Sequence, residues 1–80
     1  MVYLRYSLVD DLEPRVVMDR KTPRRFGDLD AAVAWVERKE EGSRYLIYSG
    51  TLFRKERGRE INLIGFSRDE RNDLRRMPLV

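Results

Sequence analysis

The chain predicts an α+β fold: an antiparallel sheet of four or five strands, with one main helix packed on one face and a short C-terminal helix. The element order is β-β-α-β-β-β-α. Three observations lead there. The first nine residues divide between two faces, with Val2, Leu4, Tyr6 and Leu8 on one side and Tyr3, Arg5, Ser7 and Val9 on the other, the two-residue period of a strand. Leu29, Ala32, Val33 and Val36 recur at helical spacing, as in a helix that buries a single stripe. The remaining apolar runs are short and bounded by turn residues, and strands joined by hairpins pack antiparallel without a crossover.

The elements follow in order. Asp10-Asp11-Leu12-Glu13-Pro14 reads as a turn, because Asp favours turns and Pro cannot continue a central ladder. Arg15 to Arg20 forms a second strand, paired with the first as a hairpin. Lys21-Thr22-Pro23-Arg24-Arg25-Phe26-Gly27 is a basic loop leading into the helix. Asp28 is its N-cap, Asp30 suits the helix dipole in the first turn, and Gly42 is the C-terminal cap. Trp35 lies beside the apolar stripe. Arg44 to Tyr48 is an aromatic strand, and Ser49-Gly50 fits either a tight turn or a bulge. Thr51 to Glu56 continues as strand, Arg57-Gly58 turns, and Glu60 to Phe66 returns. Ser67-Arg68-Asp69-Glu70 matches a capping box, which predicts a helix to about Arg76, with a loose tail beyond it.

Size and composition bound the rest. Eighty residues make one small domain spanning 1–80, and 41% hydrophobic residues suffice for a core. Two such cores joined as a homodimer would bury more apolar area per residue. No apolar run approaches the ~20 residues of a membrane helix, and Arg5 interrupts the apolar stretch that a leader needs. The expected location is therefore cytoplasmic. The chain has no Cys and no His, which removes disulfides, thiolate metal sites, and the nucleophile–base pairs built on these residues. Lys21, Lys39 and Lys55 lie in charged contexts unsuited to a serine–lysine pair, and no nucleotide-binding fingerprint is present. No catalytic residue and no cofactor are expected.

Three groups of charges remain. Asp10, Asp11 and Glu13 present the oxygen ligands that a magnesium ion takes, but an acidic turn before proline explains them without a metal, and none is expected. Glu37, Glu40 and Glu41 lie near the helix C-terminus and read as a solvated face. Arg54-Lys55-Glu56-Arg57-Gly58-Arg59 is a basic hairpin, a shape that can follow a phosphate backbone. Glu56 and Glu60 interrupt it, as cross-strand pairs commonly do. Lys21, Arg24 and Arg25 extend the basic surface if the pre-helix loop lies nearby.

One helix covers one face of the sheet, so if Val2, Leu4, Tyr6 and Leu8 meet it, Tyr3, Arg5 and Val17 face outward, joined by one of Tyr45 or Tyr48. That face can serve a protein partner, where Tyr and Arg are enriched, or stack bases. Alternatively, the C-terminal helix covers it through Leu74 and Met77. The leading expectation is a non-catalytic protein-interaction module, a small adaptor or inhibitor, that binds its partner through Tyr3, Arg5, Tyr48, Arg54, Lys55, Arg57 and Arg59. The alternative is a nucleic-acid-binding domain with Lys21, Arg24 and Arg25 also on phosphates.

Overall fold

A computed structural model describes residues 1–80. The leading alternation becomes β1 (Val2–Asp10), which pairs antiparallel with β2 (Glu13–Phe26). Helix α1 (Leu29–Lys39) follows, then β3 (Tyr45–Glu56), β4 (Arg59–Arg68) and β5 (Leu74–Pro78). All five strands form one antiparallel sheet in the order β2-β1-β3-β4-β5.

The helix forms where its stripe predicts. Asp28 is extended at the N-cap, and its carboxylate accepts from the Ala31 N–H at 2.8 Å, satisfying one of the otherwise orphaned amides of the first turn. Ala32 and Val36 are fully buried against Val2, Leu4, Leu8, Ile47, Leu52 and Phe66, with Leu29, Val33 and Trp35 at the margin. The even-numbered face of β1 therefore meets the helix. Tyr6 and Phe26 flank Trp35 with ring centroids 5.6 and 5.8 Å away. The helix ends earlier than expected: Glu40 is the C-cap, and Gly42, at φ +65°, lies beyond it.

Four local expectations change. The predicted basic loop 21–27 is largely strand, since β2 runs on to Phe26, with Leu4 opposite Arg24 and Tyr6 opposite Arg20. Residues 21–23 stand against the single residue Arg5, two more than β1 supplies, and have no partner in β1. Pro23 is accommodated there because β2 is an edge strand and the position is bulged. The runs on either side of Ser49-Gly50 are one strand, β3. Ser49 and Gly50 pair with Ser7 and Tyr6, and the bulge falls at Tyr48, between Ile47 and Ser49. Gly50 permits this close pairing: a Cβ there would lie 3.1 Å from the Arg5 carbonyl oxygen and 3.2 Å from Tyr6 Cβ.

The predicted C-terminal helix is instead β5. Ser67 stays in β4. The amides are captured by Asp69, whose carboxylate accepts from the Arg71 and Asp73 N–H groups at 2.9 Å each. Asn72 takes φ +66°, and the chain turns back along β4. Only Leu74 and Met77 would have given the helix an apolar stripe, whereas β5 gains a full ladder from Arg68–Leu74 to Ile64–Pro78. The tail is likewise tied down, with the Leu79 N–H donating to the Leu63 carbonyl at 3.0 Å.

Two ion pairs fasten the scaffold. Arg68, with its side chain 5% exposed, donates through Nε to the Ile47 carbonyl at 3.0 Å, through NH1 to the Asn72 carbonyl at 2.9 Å, and through NH2 to Glu40 Oε2 at 2.6 Å. Glu40 Oε1 in turn accepts from the Ile47 N–H at 3.2 Å. Ile47 lies past the last β3–β4 pair, Ser49–Ser67, so these side chains take the place of a neighbouring strand. At the other end of Leu46–Ile47, Arg44 grips buried Asp10 with bonds of 3.1 and 2.9 Å. The guanidinium holds the Asp10 carboxyl below the ordinary aspartate range. Burial opposes this, and the Leu12 N–H reinforces it.

Replacing Arg68 with Ala leaves Glu40 and the carbonyls of Ile47 and Asn72 without their donor. A loss of about 3–5 kcal/mol is expected from urea unfolding, and Arg68→Lys should recover little, because one ammonium cannot reproduce the fork. For Asp10, the folded-state pKa lies below the unfolded one, so its contribution is complete above the ordinary range near ~4 and is lost as pH falls through the depressed folded value. Melting temperatures followed from neutral to acid pH should drop less steeply in Asp10→Asn than in the wild type.

Candidate binding face

The face opposite the helix is set by the odd-numbered residues of β1 and by their neighbours across the sheet. The register aligns three rows. Asp19, Ser7, Ser49, Ser67 and Arg75 form one, Arg5, Thr51, Gly65 and Met77 the next, and Arg25, Tyr3, Phe53 and Asn62 the third. β5 extends the sheet rather than folding over it, so no second element covers these rows. Leu74 packs at the margin of the helix-side core, while Met77 is exposed.

The middle of this face is a shallow groove of about 620 Å³. Its floor is made of small groups, Ser7, Ser49, Thr51, Gly65 and Ser67, because a row of short side chains across adjacent strands leaves a trough. Ser7 and Ser49 share a hydrogen bond of 3.0 Å across β1 and β3. One bank carries Arg5, Arg20, Lys21 and Asp19; the other carries Met77 and Leu79. Leu79 reaches over Gly65, and its Cδ1 lies 3.4 Å from where a Cβ would stand.

An aromatic platform closes one end of the groove. Phe53 is fully buried without belonging to the helix-side core. Tyr3 stacks on it with ring centroids 5.5 Å apart, and the Arg5 guanidinium lies over its ring at 4.6 Å. Lys55 Nζ lies 5.2 Å from the Tyr3 ring centroid, within cation–π range. Arg5 also holds Glu60 through two bonds of 3.3 and 2.9 Å. That bidentate contact lowers the Glu60 pKa, with burial opposing it and the nearby Lys55 charge assisting.

The expected site residues thus divide. Tyr3, Arg5 and Lys55 form one cluster, with Arg25 in the same row. Tyr48 is exposed at the β3 bulge. Arg54 is exposed and pairs with Glu56 at 3.3 Å. Arg57 and Arg59 stand at the hairpin end, where Arg57 and Gly58 have φ of +49° and +79°, as a type I′ turn requires. Arg24 lies apart from Arg25, with its guanidinium 4.6 Å from the Trp35 ring centroid. Lys21 lies on the groove bank. The acidic turn does not gather around a vacant centre: Asp10 is held by Arg44, and no group of three or more acidic, His or Cys side chains is placed to hold a metal ion.

The serine floor, Phe53 and Glu60 were not among the expected site residues. Ser7 and Phe53 carried a partial signal in their strand parity, but only the pairing of distant strands brings Ser7, Ser49 and Ser67 into line. Of the basic segments, the hairpin has Arg54 paired with Glu56 and Lys55 beside the Tyr3 ring, while Arg57 and Arg59, like Arg20, Lys21, Arg24 and Arg25 of β2, take part in no ion pair. Comparison of the chain with protein-family models, curated proteins and solved structures gives no significant match.

The Arg5–Glu60 contact makes a measurable claim. In a carboxyl-detected NMR titration, Glu60 should titrate below the ordinary glutamate range, and Arg5→Met should return it towards that range. The stabilisation from this pair is present at neutral pH and lost as pH falls through the depressed value.

Proposed function

We propose that this chain is a non-catalytic protein-interaction module, a small adaptor or inhibitor, that seats a segment of its partner on the sheet face opposite the helix. The observation that carries this reading is the uncovered groove across the strands, with a hydrogen-bonding floor, a cationic bank and an apolar bank. A few placed polar groups beside apolar surface give a bound segment orientation as well as affinity. Tyr3, seated on the buried Phe53 ring, extends the same surface, and the Phe53 ring beneath it is already covered by Arg5, which Glu60 holds. Anchors held in place before binding lose less freedom on association. The absence of His and Cys favours binding over the commonest hydrolytic chemistries.

The banks suit an extended segment that combines acidic and apolar side chains. Its carboxylates would meet Arg20 and Lys21, and its apolar groups would meet Met77 and Leu79. The basic hairpin, projecting beyond the platform, would add charge attraction at the rim, where charges accelerate encounter more than they strengthen the complex.

Nucleic acid is the second reading, supported by the unpaired cations at Arg20, Lys21, Arg24 and Arg25. It requires affinity that falls steeply as salt rises, because phosphate binding releases counterions.

One experiment separates the readings. Peptides selected from a random display library should shift the amide resonances of Ser7, Ser49, Thr51 and Gly65. They should bind Thr51→Arg, which fills the groove, at least about tenfold more weakly. Peptides that bind this variant unchanged would sink the groove reading. Mixed-sequence oligonucleotides serve as the other arm. Salt-sensitive binding that is lost when Arg20, Lys21, Arg24 and Arg25 are all changed to Ala would put the nucleic-acid reading first.

A further inference from the structure

The outer edge of the sheet at β2 is built unlike the edge at β5. An open strand edge offers unpaired N–H and C=O groups to another strand, and proteins usually blunt it with charge, proline or bulges. β5 follows this rule, with Arg75, Arg76 and Pro78 among its five residues. β2 does not. Val16, Val17 and Met18 stand consecutively on the edge at 46%, 45% and 37% exposure, a short apolar run that the chain covers only in part.

The flanking charges are arranged with a two-fold pattern. Laid antiparallel against a second copy of itself with Val17 opposite Val17, β2 places Val16 opposite Met18 and Arg15 opposite Asp19. Opposite charges therefore meet on both sides of an apolar centre. Neither Arg15 nor Asp19 takes part in an ion pair within its own chain. Arg15 and Asp19 lie about 13 Å apart along the strand at ~3.3 Å per residue, too far to pair with each other.

Backbone parity supports the same alignment. A two-residue type I′ turn at Arg57-Gly58 makes Glu56 and Arg59 a hydrogen-bonded pair. Alternation from that pair directs the even residues of β3 towards β4 and its odd residues Ser49, Thr51 and Phe53 towards β1. The even residues of β1 then bond to Met18 and Arg20, and the main-chain groups of Val17 and Asp19 point away from the sheet. Pro14, which lacks an N–H, would face Arg20 at a position where no bond is exchanged. Residues 14–16 have no partner in β1, and the excess residues 21–23 limit the pairing to the stretch before them.

We propose that this chain forms a symmetric homodimer through antiparallel β2–β2 pairing about Val17, giving one continuous ten-stranded sheet. Directly opposed side chains share a face in an antiparallel pair, so both helices lie on one side and both grooves on the other. Arg15 of each copy then neutralises Asp19 on the groove bank of its partner.

The test is sedimentation equilibrium over a wide concentration range, with circular dichroism to establish folding. The wild type is expected to dimerise. Arg15→Asp and Asp19→Arg should each weaken self-association at least about tenfold, since like charges then face each other twice. An equimolar mixture of the two single variants should associate again, as should the double variant Arg15→Asp/Asp19→Arg, because both arrangements restore opposite charges across the axis. A wild type that stays monomeric up to its solubility limit would overturn the proposal. So would folded single variants that dimerise as tightly as the wild type.

Discussion

Much of the architecture depends on a single buried guanidinium. β3 passes the last residue of β4 with the N–H and C=O of Ile47 still to be satisfied, and no strand is there to receive them. Arg68 and Glu40 supply the missing partners, one from the end of β4 and one from the end of α1. A third Arg68 bond reaches the Asn72 carbonyl in the turn before β5. One side chain therefore ties the helix C-terminus, the bulged part of β3 and the final hairpin together. A planar donor fork can do this where a lysine cannot, and no buried side-chain polar atom is left without a partner.

That tie has consequences for the opposite face. With Glu40 drawn down to the sheet, the helix stays over Leu8, Ile47 and Phe66 and covers only that side. With the turn after Arg68 held in place, the C-terminal residues continue the sheet rather than crossing it. The groove and the Tyr3 ring beside it remain open because the only elements able to cover them are committed elsewhere. The open face is thus a result of how the scaffold is fastened, and its small-residue floor determines the shape that a partner would meet.

Several sequence signals were local and survived folding. The alternation of Val2, Leu4, Tyr6 and Leu8, the Asp28 cap, the Ala32–Val36 stripe and the Arg57-Gly58 turn each depend on neighbours within a few residues. The failures share a cause. Ser67-Arg68-Asp69-Glu70 satisfies a capping-box pattern, yet side-chain capture of amides serves a turn equally well, and the choice went to the conformation that could pair with β4. Lys21 to Phe26 read as a basic loop, but an edge strand tolerates Pro23 and two surplus residues. Ser49-Gly50 carried a real irregularity, displaced by one residue to Tyr48, because Gly50 itself was needed against β1.

The sequence by itself determined the fold class, the helix and its buried face, the division of β1 between two sides, and the absence of His- or Cys-based chemistry. These follow from periodicity and composition, which act over short stretches of chain. Only the tertiary structure decided that β5 is a strand, that Arg68 and Asp10 are structural rather than free charges, and that Ser7, Ser49 and Ser67 form one floor. It also decided which cations remain unpaired and which strand edge is left exposed. Each of these depends on the register between segments dozens of residues apart, and register is set by the packing of all the elements together, which no single stretch of the chain encodes.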